Sequence, residues 1–399
     1  MNKLSIDKVD LKNKRVLVRV DFNVPLDEKL NVTNDIRIVE SLPTIKRIFN
    51  SGGKAILMSH LGRPKGERKP EFSLKPAAKK LGELLGKDVK LVPDCIGSET
   101  EKLVTEMKSG DVVLLENLRF HKQEEKNDPE FAKQLASIGD VYINDAFGSA
   151  HRAHASTEGI TKYIKTCAAG YLMQKELDYL GSALLNPKRP YCAILGGAKI
   201  SGKIDVINNL LDKVDTLIVG GGMAFTFFKA QGKEIGKSLL EVEKLELAKE
   251  LLGKVKSAKL KFLLPVDVIV ADEFKNESPS VTVDVDKIPA DKMGLDIGPK
   301  SVKLFSDELM KSKTIVWNGP MGVFEMSNFA KGTFAVANSL VNATQIGAVT
   351  VIGGGDSAAA ISDAGLEKKV SHVSTGGGAS LEYLEGKILP GVAALTDAG

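Results

Sequence analysis

Ten short, apolar, β-branched runs recur along this 399-residue chain, and their alternation with helical patterns constrains the fold most. In the first half they lie at 16–20, 55–58, 112–115 and 141–143. In the second half they lie at 192–195, 217–219, 262–264, 315–317, 349–352 and 372–374. Between them, 73–85, 130–137, 170–185, 201–213 and 240–256 carry apolar residues at helical spacing. Strand then helix, repeated, predicts an α/β fold of parallel sheets. Near-continuous apolar strands predict sheets covered on both faces. At roughly 150 residues per domain, the length predicts two or three domains.

In open α/β sheets, ligands bind outside the carboxyl ends of the strands. The first-half runs end in Asp21 and Asn23; His60 and Arg63; Glu116, Asn117 and Arg119; Asn144 and Asp145. The second-half runs end in 196–199, 220–222, Asp267, Asn318–Gly319, 353–356 and 376–378. One edge is therefore rich in Arg and His, and the other in Gly. Composition sharpens the contrast. All nine Arg lie within 1–189, whereas 25 of the 38 Gly lie within 190–399. The formal charge is +6 for the first part and −2 for the second. Two readings stand: the Arg-bearing half uses the planar guanidinium fork, which grips carboxylate and phosphate bidentately, or the skew is compositional chance in a lysine-rich chain; composition alone leaves both open. The boundary is expected near 170–190, where a helical pattern stops at Asn186-Pro187.

Several classes are disfavoured. Cys95, Cys167 and Cys192 are odd in number and far apart, which argues against a disulfide framework or a Cys-based zinc site and fits a reduced compartment. No apolar run approaches the ~18 residues of a membrane helix. The polar, charged start is unlike a secretory signal. His151 and His154 have no third His or Cys close in sequence to complete a metal site. Aromatics at 6% and a net charge of +4 fit poorly with a nucleic-acid surface.

Glycine triplets after strands let backbone amides approach a phosphate, and a following helix adds its positive N-terminal dipole. Three such triplets favour phosphate or nucleotide binding over tight turns alone. Asp356 suits Mg²⁺ or, equally by position, a helix cap. Two motifs are near misses. Residues 197–204 match the P-loop until Ile204, which replaces the Ser or Thr that would hold Mg²⁺. Gly353, Gly355 and Ala358 match a loose dinucleotide fingerprint, but no acid lies about 20 residues on to take the ribose. Lys199 and Lys203 would share one face if a helix began near Ile200, which a common anionic ligand would explain as well as two solvated lysines in a lysine-rich chain.

The motifs at 19–25, 59–64, 116–120, 144–148, 150–156, 195–199, 317–325, 353–357 and 375–380 resemble, in order, those of the phosphoglycerate kinase family. The resemblance covers essentially the whole chain. It implies two Rossmann-like domains joined by a hinge helix: 1–170 with 389–399 returning to it, a connector at 171–189, and a nucleotide domain at 190–388. The implied reaction is reversible phosphoryl transfer from 1,3-bisphosphoglycerate to MgADP, a glycolytic step. Residue by residue it implies a phosphoglycerate site of Asp21, Asn23, Arg37, His60, Arg63, Arg119 and Arg152, with Arg19, His151 and His154 completing a basic patch. On the nucleotide side it implies Gly196, Gly197, Lys203, Gly220, Gly221, Gly222, Gly294, Asn318, Glu325, Gly354, Gly355, Asp356 and Ser357. Asp356 would hold Mg²⁺ and Glu325 the ribose hydroxyls. Arg37, Lys199, Lys203 and the amides of Gly376, Gly377 and Gly378 would act on the transferring group. A cytoplasmic monomer without nucleic-acid or membrane partners is expected. Two positions depart from the family pattern: Ile36, where Thr is usual, and Gly202, where Asp is common. The competing readings are a nicotinamide-dependent dehydrogenase built on the Gly353 fingerprint and a non-enzymatic anion or nucleic-acid binder.

Overall fold

The computed structural model of the chain describes residues 2–399. Two compact units emerge: residues up to 178 together with 388–399, and residues 179–387. The division falls inside the helix Tyr171–Leu185. Each unit is built on a six-stranded parallel sheet flanked by helices.

In the first unit the strands are β1 (Arg15–Arg19), β2 (Lys54–Met58), β3 (Lys90–Val92), β4 (Val112–Leu115), β5 (Val141–Asn144) and β6 (Cys167–Ala169). Their spatial order is β3-β4-β2-β1-β5-β6, all parallel. Val18 of β1 stands between Leu57 and Ile143, so the central strand meets apolar neighbours on both sides. Val16, Leu17 and Val18 are fully buried because helices cover both faces. Helix Ile36–Asn50 contributes Ile38, Ile45 and Ile48 to the core on one face, and Lys75–Leu85 adds Ala77, Ala78 and Leu81. β3 and β6 were not among the sequence runs; at three residues each they are too short for a periodic signal.

The C-terminal segment belongs to this unit. The Lys3 ammonium donates to the carbonyls of Ala393 and Leu395 (3.0 and 2.9 Å) and to Asp397 (2.6 Å). Asn144, the last residue of β5, donates its Nδ2 to the Gly391 carbonyl at 3.0 Å. Three protein acceptors satisfy a buried ammonium that would otherwise be costly to desolvate.

The second unit holds β7 (Tyr191–Leu195), β8 (Thr216–Val219), β9 (Lys261–Leu263), β10 (Asp267–Ala271), β11 (Ser280–Asp284), β12 (Met293–Ile297), β13 (Thr314–Asn318), β14 (Val349–Gly353) and β15 (His372–Val373). The main sheet runs β15-β14-β13-β7-β8-β9, all parallel. A separate antiparallel sheet, β11-β10-β12, was not anticipated. Its outer strand β11 is largely exposed and β10 supplies Val268 and Val270 to a small core, so neither reads as a continuous apolar run.

Two sequence expectations change here. Asp267 does not end a strand: it opens β10, and its carboxylate caps helix Pro299–Leu309 by accepting the N–H groups of Lys300 (3.0 Å) and Ser301 (2.7 Å). Residues 201–213 are not one helix. A 3₁₀ turn, Ile200–Gly202, precedes a helix that begins only at Ile204. Lys199 and Lys203 therefore flank a 3₁₀ turn and do not share an α-helical face.

Candidate active site

Strand β1 delivers the chain into the basic edge of the first unit. Arg19, its last residue, is 1% exposed. Its Nε donates to Ser156 Oγ at 2.9 Å, and Nη2 lies 3.1 Å from His60 Nδ1 and 3.4 Å from Ser149 Oγ. Ser156 in turn donates to Glu124, which is wholly buried: Oγ to Oε1 at 2.6 Å and the backbone N–H to Oε2 at 3.0 Å. Burial pushes the Glu124 carboxyl up, partly offset by the Arg19 charge and the Ser156 hydrogen bonds. Burial holds His60 well below its ordinary value, and the charges of Arg19, Arg119 and Arg37 push the same way against Asp21.

Asp21 is buried and forms an ion pair with Nη1 of Arg37 from helix Ile36–Asn50. Burial alone would raise its carboxyl, but the Arg37 guanidinium, then Arg19 and a backbone N–H of Asn23, outweigh burial and hold it low. Its Oδ1 has no partner among the described residues. Asn23 accepts the Gly62 N–H at 2.9 Å and ties the loop after β1 to the loop after β2. Arg119, buried, donates to the Gly62 carbonyl at 2.9 Å. Asn117 reaches three stretches of backbone, at Leu61, Phe72 and Arg119. Glu116 accepts from Ser73, Leu74 and Asn117 and secures the start of helix Lys75–Leu85. Arg63 and Arg152 are exposed, and Arg152 donates to the neighbouring His151. His154 is buried, and burial, then Arg119, Arg19 and Arg152, pushes it down to about 3. The edge is thus a set of cations with one low-lying carboxylate and two imidazoles held neutral.

Asp145, also at a strand end, acts differently. Its Oδ1 accepts the N–H groups of Leu172 (2.9 Å) and Met173 (3.2 Å) and caps helix Tyr171–Leu185, while burial pushes the carboxyl up to about 6. Asp94, Cys95 and His121 bring possible metal-ligand atoms within 4.8 Å of one another. Arg68 already pairs with Asp94 at 2.8 Å and His121 Nε2 lies 2.7 Å from it, so a cation there would meet a guanidinium.

In the second unit a cavity of about 470 Å³ lies between the glycine loops and the small antiparallel sheet. Phe225, Leu239, Leu295 and Met321 supply apolar wall, with Gly197, Gly221, Gly222, Gly294, Glu325 and Asp356 also lining it. Its size and apolar lining suit a heteroaromatic ligand with a few polar contacts. Gly294 must lack a side chain: a Cβ there would stand 2.1 Å from the Phe225 ring. Gly221 combines φ +67 with a Cβ position 2.7 Å from the Gly197 backbone. The apolar wall was missed in the sequence because its four residues come from four separate segments; only the lining glycines carried a local signal.

Gly196, Gly220, Asn318 and Gly353 close the carboxyl ends of β7, β8, β13 and β14. Lys203, part-buried, donates to Asn318 Oδ1, and burial lowers the ammonium to about 8 against the pull of Asp356 and Glu385. Lys199 is exposed. Gly354, with φ +88, caps helix Gly355–Asp363, whose first-turn amides have no intrahelical partner. Ser357 accepts the Gly319 N–H and draws the loop after β13 to that helix. The exposed Asp356 carboxylate at this N-terminus has no hydrogen bond or ion pair among the described residues, so a hard, oxygen-seeking cation fits it. After β15 the Gly376 amide donates to Ser374 Oγ at 3.1 Å, and Gly377 and Gly378 follow it into helix Gly378–Leu384.

Comparison with known proteins agrees along the whole chain. A family model described as phosphoglycerate kinase matches residues 6–387. The phosphoglycerate kinase of Chloroherpeton thalassium is 63% identical over 398 residues, covering 100% of both chains. That of Chlorobaculum tepidum is 59% identical over 397 residues, again with full coverage of both. Among solved structures, phosphoglycerate kinase from Coxiella burnetii aligns with a TM-score of 0.90 at 43% identity, covering 98% of each chain. The Pyrococcus horikoshii enzyme aligns at 0.84 and 32% identity, also covering 98% of each. A cation-lined strand edge in one unit, a glycine-lined cavity in the other and full-length likeness at these identities lead to one conclusion: the chain belongs to the phosphoglycerate kinase family.

Proposed function

We infer that the chain catalyses reversible phosphoryl transfer between 1,3-bisphosphoglycerate and MgADP, giving 3-phosphoglycerate and MgATP, as a kinase with a carboxyl acceptor in glycolysis. The observation that carries this reading is the full-length family match. Each unit supplies a ligand surface that fits one substrate. The cationic edge with Asp21, Asn23, Arg37, His60, Arg63, Arg119 and Arg152 suits a small acid phosphate, and Arg19, His151 and His154 surround it. The cavity and glycine loops of the second unit suit a nucleotide, with Glu325 toward the ribose.

The chemistry asks for positioning and charge neutralisation rather than a side-chain nucleophile, because the acceptor oxygen belongs to the other substrate. Arg37, Lys199 and Lys203 are the cations proposed for the phosphoryl group, with the amides of Gly376, Gly377 and Gly378. Bound at Asp356, Mg²⁺ would neutralise nucleotide phosphate charge. Asp21 holds one edge of the Arg37 guanidinium and leaves other N–H groups for a ligand. In-line transfer requires the two substrates to meet away from water, so we propose domain closure about the 171–189 connector. A cytoplasmic monomer is the proposed working form; among the described residues no helix is long and apolar enough to cross a membrane.

A coupled assay tests the reaction: purified protein should form ATP from 1,3-bisphosphoglycerate and MgADP. Folded protein with no turnover would sink the reading, and hydride transfer to NAD would replace it with the dehydrogenase alternative.

A further inference from the structure

The polar network behind the basic edge has a direction that its donors and acceptors dictate. A guanidinium is always charged and only donates. Arg19 Nη2 stands 3.1 Å from His60 Nδ1, so Nδ1 must accept and carries no proton. The ring hydrogen then sits on Nε2, which has no hydrogen-bond partner among the described residues. Arg19 itself is aimed from behind. Its Nε donates to Ser156 Oγ at 2.9 Å, so the single serine hydroxyl hydrogen turns the other way, to Glu124 Oε1 at 2.6 Å. That geometry uses Glu124 as an acceptor through both oxygens, since Oε2 takes the Ser156 N–H at 3.0 Å. Glu124 is 0% exposed and Arg19 1%, so the carboxylate is the buried counter-charge to the guanidinium, with Ser156 between them.

We propose that Glu124 and Ser156 are positioning residues: acting through Arg19, they lock His60 as its Nε2–H tautomer, so that the imidazole meets the phosphoglycerate as an N–H donor. This rests on the reaction inferred above and assigns a role to two residues outside the ligand-binding set. The charged groups facing the His60 ring are Arg19, Arg37, Arg119 and Asp21. Burial first, then the three guanidiniums, oppose a second ring proton against the pull of Asp21, so the locked form persists through neutral pH.

Imidazole ¹H–¹⁵N spectra of the full-length protein test this without reference to turnover, with His60 assigned by its loss in His60→Gln. The expected spectrum shows a pyridine-type Nδ1 and a pyrrole-type Nε2, unchanged from pH 8 to 6, and 3-phosphoglycerate should move Nε2–H more than Nδ1. In Ser156→Ala, His60 should shift toward a tautomer mixture. The KM for 3-phosphoglycerate should rise about tenfold, the scale of one hydrogen bond to a charged group, while the KM for MgATP stays put. If Ser156→Ala does not fold, Arg19→Lys supplies the second comparison, because an ammonium cannot span Ser156 and His60 together. A wild-type His60 that is protonated, or carries its proton on Nδ1, would overturn the proposal. So would an unchanged His60 spectrum and unchanged KM in Ser156→Ala. Absence of turnover in wild type would instead overturn the reaction and leave the spectrum to decide the tautomer.

Discussion

Among single residues, His154 shows most plainly how burial sets chemistry. Burial and three arginines push it down to about 3 in the folded chain. In the unfolded chain it returns to an ordinary value near 6.5, so below that pH the unfolded state binds a proton the native state refuses. Its contribution is fully present above pH 6.5 and is lost as pH falls toward 3. Urea unfolding of wild type and His154→Asn should show the wild type losing up to ~1.4 kcal/mol per pH unit relative to the variant below pH 6.5. A difference that does not change with pH would contradict the shift. Arg37 makes a catalytic prediction. With Asp21 holding one edge, its remaining donors form a fixed fork that lysine cannot copy. Arg37→Lys should lower kcat by about a hundredfold, the scale of a lost transition-state donor, with little change in the KM for phosphoglycerate. Steady-state kinetics would contradict the assignment if only KM moved.

At the level of elements, strand ends set what each loop can offer. Most residues picked out at those ends lie where the strand pattern placed them, since a strand leaving a covered parallel sheet must surrender its polar residues at the rim. Asp145, just past the end of β5, and Asp267, at the start of β10, cap helices instead, and nothing local in the sequence distinguishes a cap from a ligand. The 3₁₀ turn at Ile200–Gly202 is the other element-scale departure. Gly202 ends that turn with no atom near its would-be Cβ and without a left-handed backbone, so a side chain fits there. Gly202→Ala should raise stability by ~0.4–1 kcal/mol by restricting the unfolded chain. Thermal unfolding should show a midpoint about 1–3 °C higher. A lowered midpoint would mean that the turn needs glycine's freedom.

For the whole molecule, one unit presents a cationic strand edge and the other a glycine-lined cavity, and the proposed reaction joins them. Small-angle scattering should show a smaller radius of gyration with 3-phosphoglycerate and MgATP together than with either alone. Equal radii in all three states would argue against closure. The alternating runs alone determined the α/β class and the parallel sheets, because burial on both faces leaves a continuous apolar signature in each strand. They also located the basic and glycine-rich edges, and the motifs at those edges carried the family. Tertiary structure decided the rest. The apolar cavity wall and the Glu124–Ser156–Arg19–His60 chain join residues far apart in sequence, each unremarkable among its neighbours, and the antiparallel sheet uses consecutive strands that carry no continuous apolar run. Local pattern reports what a segment buries; only packing decides which donor meets which acceptor, and that pairing fixed where the His60 proton sits.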